Sequence, residues 1–464
     1  MTKERKHSII AISLFSSYLL SFLFEGQVLH AITNKFQINN LNIFFSAMVA
    51  NFLGLFLCGF FIHNQKGAKQ IMVYAIVICI VFMVPFFFSP TILWPISLIV
   101  SSFAAGLYVA AWGFFFKNYT ISSERIKTAA DVLILSNTIM IAVNMTAIHI
   151  SPYIALILSA FILFLALYFQ MQLPRIFSSK AQKDNKVIGS KYFNNTLILL
   201  CIFIAIITVN SGLMYQVINP AFDHLKWLVS WYWALPYIVA IYIMKHLPQK
   251  ISRNYILYLA IAMIGFSFLA FMELNRSAWS YLIVNTLMLG AFGVYDLFWW
   301  SILGEMLDYH KNPAKIFGIG LSTNVLGILI GSLICTKGWT NVENKTPVIA
   351  FFIVFITLMI LPILHKYLLK LLKNHIFLST FYEMESVTQN KNMSYIVETG
   401  KLTQRESEIT ELLLKGRTYK MIAQELFLSE NTVKTHIKNI YSKLQIKSKV
   451  ELIGLAIDKS YFKN

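Results

Sequence analysis

The 464-residue chain is 57% hydrophobic and only 13% charged, with a formal net charge of +18. So apolar a composition excludes an ordinary soluble protein, and most lysines and arginines fall in short clusters between apolar runs, not in one basic surface. The chain is expected to lie mostly in a lipid bilayer, with the basic clusters setting its orientation.

Lys3, Arg5 and Lys6 precede an apolar run from Ile9 to Phe24 that has the outline of a signal peptide. No small-x-small cleavage site precedes the polar Glu25, Gly26 and Gln27, and many apolar runs follow, so this run is expected to be an uncleaved first helix. Runs long enough to cross about 30 Å of hydrocarbon occur at 8–30, 41–62, 71–89, 92–116, 129–150, 153–173, 195–219, 227–247, 255–273, 278–303, 316–336 and 347–369, twelve in all. Ser89-Pro90 and Ser151-Pro152 mark tight helical hairpins. The four cysteines, Cys58, Cys79, Cys201 and Cys335, lie in or at the ends of these runs without metal-ligand spacing and are expected to be packing residues.

With the N-terminus inside, the clusters near Lys66, Arg125, Lys183, Lys250, Lys315 and Lys370 all become cytoplasmic. The outer side keeps Lys35, Lys226, Arg276, Lys337 and Lys345. This asymmetry is the positive-inside pattern, and an even number of spans returns the C-terminus to the cytoplasm. The longest basic connection, 174–194, divides the spans into halves at 1–173 and 195–370. Two sets of six with a cytoplasmic central loop resemble the major facilitator superfamily, whose halves are pseudo-repeats. The superfamily's loop motif, Gly-x-x-x-Asp-Arg-x-Gly-Arg-Arg, survives only as Gly59, His63, Lys66, Gly67 and Lys69, without its acid and with the second glycine one place late. That departure weakens the expectation of a transport cycle more than that of the fold.

Ionisable and amide side chains inside apolar runs are costly and are ligand-site candidates. Glu25 falls in the outer part of the first run, and Asp296 in the tenth, on one face with Trp299 and Trp300. Asn137, Asn210, Asn285 and Asn324 place amides near mid-membrane. Together they have the makings of an aromatic-lined cavity with a few convergent polar groups. The alternative is that the asparagines bond neighbouring helices and the tryptophans anchor at the interface. Asp131, Glu305 and Asp308, near cytoplasmic ends, are expected to snorkel or to pair with loop cations.

Residues 371–400 have scattered apolar positions and no proline, and suit a helical extension followed by a tether. From 401 to 464 the chain is polar enough for a soluble domain of four short helices. Thr403 and Glu406 form a capping box; Ile409, Leu412 and Leu413 give an apolar stripe ended by Gly416. Ile422, Ala423 and Leu426 belong to a second helix, and Ser429 caps a third after a short turn, the pattern of a helix-turn-helix. Val433, Ile437, Ile440 and Leu444 share the core side of the third helix. Asn431, Thr435, Lys438 and Ser442 fall opposite, with Lys434 at the shoulder, a face suited to phosphates and base edges.

Thr403, Glu406, Gly416, Ile422-Ala423, Leu426, Ser429, Thr432-Val433-Lys434, His436, Ile440, Lys443-Leu444 and Leu452 resemble the signature of LuxR-type (NarL/FixJ-like) DNA-binding domains with spacing intact. The resemblance implies that the Ser429–Leu444 helix enters the major groove and that the last helix, from about Ser448 to Lys459, mediates dimerisation. By position it assigns Lys434, Thr435 and Lys438 to base edges or nearby phosphates, and Thr432 and Lys443 to the DNA backbone. Lys449 stands where that family usually has arginine, which weakens a contact needing a planar fork.

No phosphate loop, zinc pattern, receiver or kinase module is present, so neither an enzyme nor a cofactor or metal is expected. The expected fold class is all-α: a twelve-helix polytopic bundle, 6+6 and major-facilitator-like, then a four-helix LuxR-type domain. The expected function is a one-component transcriptional regulator in the bacterial cytoplasmic membrane, both termini cytoplasmic, with double-stranded DNA, the bilayer, a small ligand and a second copy as partners. The alternative is a major-facilitator-type transporter with a fused regulatory tail.

Overall fold

The structure is a computed structural model that describes residues 2–24, 26–38, 41–174, 190–247, 253–336, 342–383, 386–414, 417, 419–446 and 448–457. Glu25, Gly416 and most of the central 174–194 connection lie outside the described residues. All regular structure among the described residues is helical, in two compact units, a membrane body and a tail, that divide at His365 and Lys366, within the last turn of the twelfth span.

The body contains twelve helices long and apolar enough to span a bilayer. In order they are Lys3–Lys35, Phe44–Phe61, Gln65–Phe87, Leu93–Tyr119, Arg125–His149 and Pro152–Gln172, then Tyr192–Ala221, Asp223–His246, Ile256–Glu273, Ala278–Tyr309, Pro313–Cys335 and Thr346–Leu368. The first, fourth, seventh and tenth are 76, 78, 72 and 72% buried, whereas the third, sixth and twelfth are 33, 39 and 39%. A recurrence every three spans puts the same helices of each half at the centre. The outer helices expose Tyr74, Phe161, Phe352 and Met359, which suits contact with acyl chains.

Helix breaks in the body have local causes. The first span changes to a π turn at Leu19–Leu23 and breaks at Phe24 before helix Gln27–Lys35, so it extends beyond the 8–30 run. The seventh span, its counterpart in the other half, carries a π turn at Met214–Ile218. π turns commonly mark functional segments of helices. The eighth span breaks between helices Lys226–Tyr232 and Leu235–His246. Pro236 has no amide hydrogen to give the Tyr232 carbonyl four residues back, and Asn285 Nδ2 donates to the carbonyls of Tyr232 and Trp233 at 3.5 and 3.2 Å.

At the end of the body holding the N-terminus, polar bonds join the two halves. Arg125 Nη1 and Nη2 donate to the two oxygens of Asp308 at 2.9 and 2.8 Å, and Nη1 also to the Gly304 carbonyl at 2.7 Å. Lys245 pairs with Asp131 at 2.5 Å. Asn312 Nδ2 donates to the carbonyls of Gly59 and Ile62 at 2.7 and 2.8 Å. A Cβ on Gly59 would lie 2.1 Å from the Lys315 Cα, so only glycine permits this approach of the second span to the eleventh. Asp131 and Asp308 thus meet cations, as their positions suggest.

In the tail, helix Gln404–Leu414 starts at the Thr403–Glu406 capping box: the Thr403 amide donates to Glu406 Oε2 at 2.9 Å and the Glu406 amide to Thr403 Oγ1 at 3.3 Å. Helix Tyr419–Glu425 follows, then a turn with Phe427 at φ 55°, and helix Glu430–Lys443 capped by Ser429, whose Oγ accepts from the Thr432 amide at 3.0 Å. Helix Lys449–Ile457 closes the order. Ile409, Leu413, Ile422, Val433, Ile437, Ile440, Leu444 and Leu452 fill one core. A fifth helix joins them. Ser386–Gly400, within the stretch expected to be extension and tether, buries Ile396 in this core with Met393 and Val397 packed against it. Met393, Ile396, Val397 and Gly400 follow the three- and four-residue spacing of one helix face.

Candidate DNA-binding face and membrane cavity

The outward face of helix Glu430–Lys443 comes from its period. Burial of Val433, Ile437 and Ile440 leaves Asn431, Thr432, Lys434, Thr435, Lys438, Asn439 and Ser442 exposed. Lys434 reaches back to Glu430 at 3.3 Å, four residues earlier, with both side chains about half exposed (53% and 48%). Such a surface pair is weak, so Lys434 can be redirected to a phosphate at little cost. Thr435 Oγ1 donates to the Asn431 carbonyl at 3.0 Å. Thr432 is part of the helix start, its Oγ1 lying 2.7 Å from Ser429 Oγ. Asn439 was not singled out in the sequence, although it is exposed next to Lys438.

Lys443 is placed differently from the other lysines. Its ammonium donates to Glu406 Oε2 at 2.6 Å, closing the capping box from the third helix. Burial raises the Glu406 pKa, but the bonds from Lys443 and Thr403 outweigh it and hold the carboxyl below the ordinary glutamate range. Lys449 Nζ donates to the Arg417 carbonyl at 3.4 Å. In the last helix Leu452, Leu455 and Ala456 point into the tail's own core.

The body holds a cavity of about 230 Å³, smaller than common ligand pockets of ~300 Å³ and above. Its walls come from spans one, two, four and five and their counterparts seven, eight, ten and eleven. Of the candidates, Asn137, Asp296, Trp300 and Asn324 line it; Asn210, Asn285 and Trp299 do not. Asn285 serves the eighth-span break. Asn210 is fully buried and donates to the Ile207 carbonyl at 3.2 Å in its own helix. Trp299 is 1% exposed and stacks on Tyr295 with ring centres 6.4 Å apart. Tyr295, on the same side of the tenth span, donates its hydroxyl to the Leu257 carbonyl at 2.9 Å and lies 6.0 Å from Phe203, both in the second half.

Tyr237, which sequence reasoning passed over, donates its hydroxyl to Asp296 Oδ2 at 2.6 Å. The pair is 59 residues apart in sequence, and apolar runs give no clue to which rotation of two spans will meet. Below Asp296, Trp300 packs on Trp112 (6.0 Å) and Phe317 (5.2 Å), and Trp112 Nε1 donates to Ser8 at 2.9 Å, making an aromatic floor. At the other end Leu20, Phe24, Tyr215 and Trp233 also line a second, more polar cavity of about 420 Å³ that includes Gln27, His30, Asn34, Gln216 and Asp223. The two π turns and the eighth-span break supply this shared ring.

Residues 400–456 match the family described as bacterial regulatory proteins, luxR family. The spore germination protein GerE of Bacillus subtilis is 48% identical over 52 residues, 11% of this chain and 70% of GerE. The CsgBAC operon transcriptional regulatory protein of Escherichia coli is 40% identical over 73 residues, 16% of this chain and 34% of that protein. The HTH-type transcriptional regulator MalT of Vibrio campbellii is also 40% identical over 73 residues, 16% of this chain and 8% of MalT. The chain therefore spans about a third or less of the two larger regulators, and the similarity lies in the tail. The body is similar in fold to the proton:xylose symporter XylE of the major facilitator superfamily, with TM-score 0.61 at 13% identity over 78% of this chain and 95% of XylE. It is also similar to the human organic anion transporter MFSD10 (TETRAN), with TM-score 0.55 at 12% identity over 78% of this chain and 100% of that one.

Proposed function

Because this chain belongs to the luxR family of bacterial regulatory proteins, we propose that it is a membrane-bound one-component transcriptional regulator, its body sensing a small ligand and its tail binding DNA. The observation that carries this reading is the exposed Lys434, Thr435 and Lys438 face on a capped helix-turn-helix, in a chain whose other unit has twelve apolar spans. Arginine and lysine asymmetry supports a bacterial cytoplasmic membrane location with both termini inside, where DNA is. The domain division at 173, 194, 370 and 400 is retained as part of this proposal, with helix Ser386–Gly400 added to the tail's core.

On this reading Lys434, Thr435 and Lys438 meet bases or nearby phosphates. Thr432 contacts the backbone at the helix start, and Lys443 does so only by leaving Glu406. A single helix of this kind makes few contacts, so two tails bind half-sites about one DNA turn apart. Confinement to a membrane raises the encounter frequency of two tails, and ligand acts by shifting the population of paired or correctly oriented tails. Asn137, Asp296, Trp300 and Asn324 are the ligand-contacting candidates; Asn210, Asn285 and Trp299 support the helices around them, and Glu25 lies outside the described residues.

The second reading is a transporter with a regulatory tail, favoured by the fold likeness to two transporters and disfavoured by the missing acid of the loop motif. Reporter fusions test the common premise. Fusions at Lys186 and after Asn464 are expected to report cytoplasm, and fusions near Lys226 and Lys345 the outside. An outside signal at the C-terminus overturns the regulator reading.

A further inference from the structure

We propose that the 230 Å³ cavity of the membrane body takes a small organic ammonium cation, paired with the Asp296 carboxylate and bounded by the aromatic side chains of Trp300, Trp233 and Phe292. This names the ligand class for the sensing site and rests on that reading for its link to DNA.

Asp296 is the sole charged residue among the described residues lining the cavity; no lysine, arginine or histidine is with it. The other charged groups of the body with recorded partners lie toward its ends, as in Arg125–Asp308 and Lys245–Asp131. A carboxylate among apolar walls is costly without a counter-charge. The Tyr237 hydroxyl donates to one oxygen at 2.6 Å but supplies no positive charge. A cation brought by the ligand completes the pair.

The rest of the lining suits the same class. Asn137 and Asn51 each spend the amino side of their amide on a carbonyl, Asn137 on Leu133 at 2.8 Å and Asn51 on Ser102 at 3.0 Å. Among the described residues no donor is recorded on their acceptor oxygens, which can take one in the cavity. Trp300, Trp233, Phe292 and Tyr215 put aromatic side chains in the lining, and aromatic rings attract cations and cover alkyl or aryl groups. An anion finds no fixed positive charge among these residues. The small volume and the mostly apolar walls of Leu19, Val132, Leu289 and Leu321 select against large, heavily hydroxylated molecules.

Two cation and neutral pairs of similar size test this on the purified full-length protein in detergent: choline against 3,3-dimethylbutan-1-ol, and phenethylammonium against 2-phenylethanol. Titration calorimetry and thermal shift are the readouts. At least one cation is expected to bind ~10-fold or more tightly than its neutral partner, and wild-type protein alone suffices to see this. Asp296→Asn is expected to remove the preference and Asp296→Glu to retain part of it. Equal affinity within both pairs, or a cation preference that survives in Asp296→Asn, overturns the proposal. Occupancy of a DNA site captured with the intact protein separates this failure from that of the sensor reading. Cation binding without any change in occupancy leaves the cation site standing and removes sensing. Occupancy that changes in Asp296→Asn while no cation binds keeps sensing and removes the cation.

Discussion

Charge is handled in opposite ways in the two units. In the tail, two ion pairs are short-range and exposed: Lys434 with Glu430 and Arg405 with Glu408 lie four and three residues apart. In the body, Arg125 is 3% exposed and meets Asp308 across 183 residues of sequence, joining one half of the bundle to the other. The first kind can be exchanged for contacts with DNA at small cost. The second kind holds a packed arrangement in place, and breaking it leaves a buried charge without compensation.

The largest expected effect therefore belongs to the body. Asp308→Asn should destabilise it by ~3–5 kcal/mol, seen as an early thermal transition of the detergent-solubilised protein. Glu430→Gln, which breaks the tail's exposed pair, should change stability by less than ~0.5 kcal/mol. Equal effects would erase the contrast between the units.

Next in size is the buried exception in the tail. Glu406→Gln should cost ~1–3 kcal/mol by leaving Lys443 and the Thr403 amide without a charged acceptor. The matched segment makes up 70% of GerE, which makes a fragment from Ser386 to Asn464 a reasonable object for urea unfolding. The Glu406 pKa is lowered in the folded state, so its stabilisation is complete at neutral pH and is lost as pH falls below about 4, the unperturbed value. That acid-side loss should be smaller in Glu406→Gln; an identical pH profile would show that the carboxylate contributes nothing.

At the DNA face, Lys438→Ala should weaken binding by ~1–3 kcal/mol and relax specificity at one position if it reads a base. If it meets only phosphate, binding should weaken evenly across sequences and the salt slope should fall by about one unit. Gel-shift titrations at two salt concentrations separate these results. Wild-type affinity in both Lys434→Ala and Lys438→Ala would reduce the face to a solvated surface.

The same difference in range decides what could be read from sequence. Capping of Thr403 by Glu406, the turn before Ser429, and the inward Val433, Ile437 and Ile440 are fixed within a few residues, and all were legible. So were twelve spans, since length and hydropathy are properties of single runs. The partner of Asp296 was not, because Tyr237 lies on another span and only packing brings the two together. Asn285 illustrates the converse: its amide looked like a ligand group, but Pro236 had already created a carbonyl that needed it. Ile396 escaped notice because polar residues surround its stripe, and Lys443 because nothing in the third helix alone points to Glu406.

Coupling of the two units within one polypeptide is the central claim. The most direct measurement is occupancy, in intact cells, of a DNA site first captured with the full-length protein, compared between wild type and Asp296→Asn at equal amounts in the membrane. The account expects occupancy to change by about threefold or more, ~0.7 kcal/mol or above, while the soluble tail's affinity for the same site is unaffected by the body. Equal occupancy in the two proteins, across conditions in which wild-type occupancy itself varies, would contradict it.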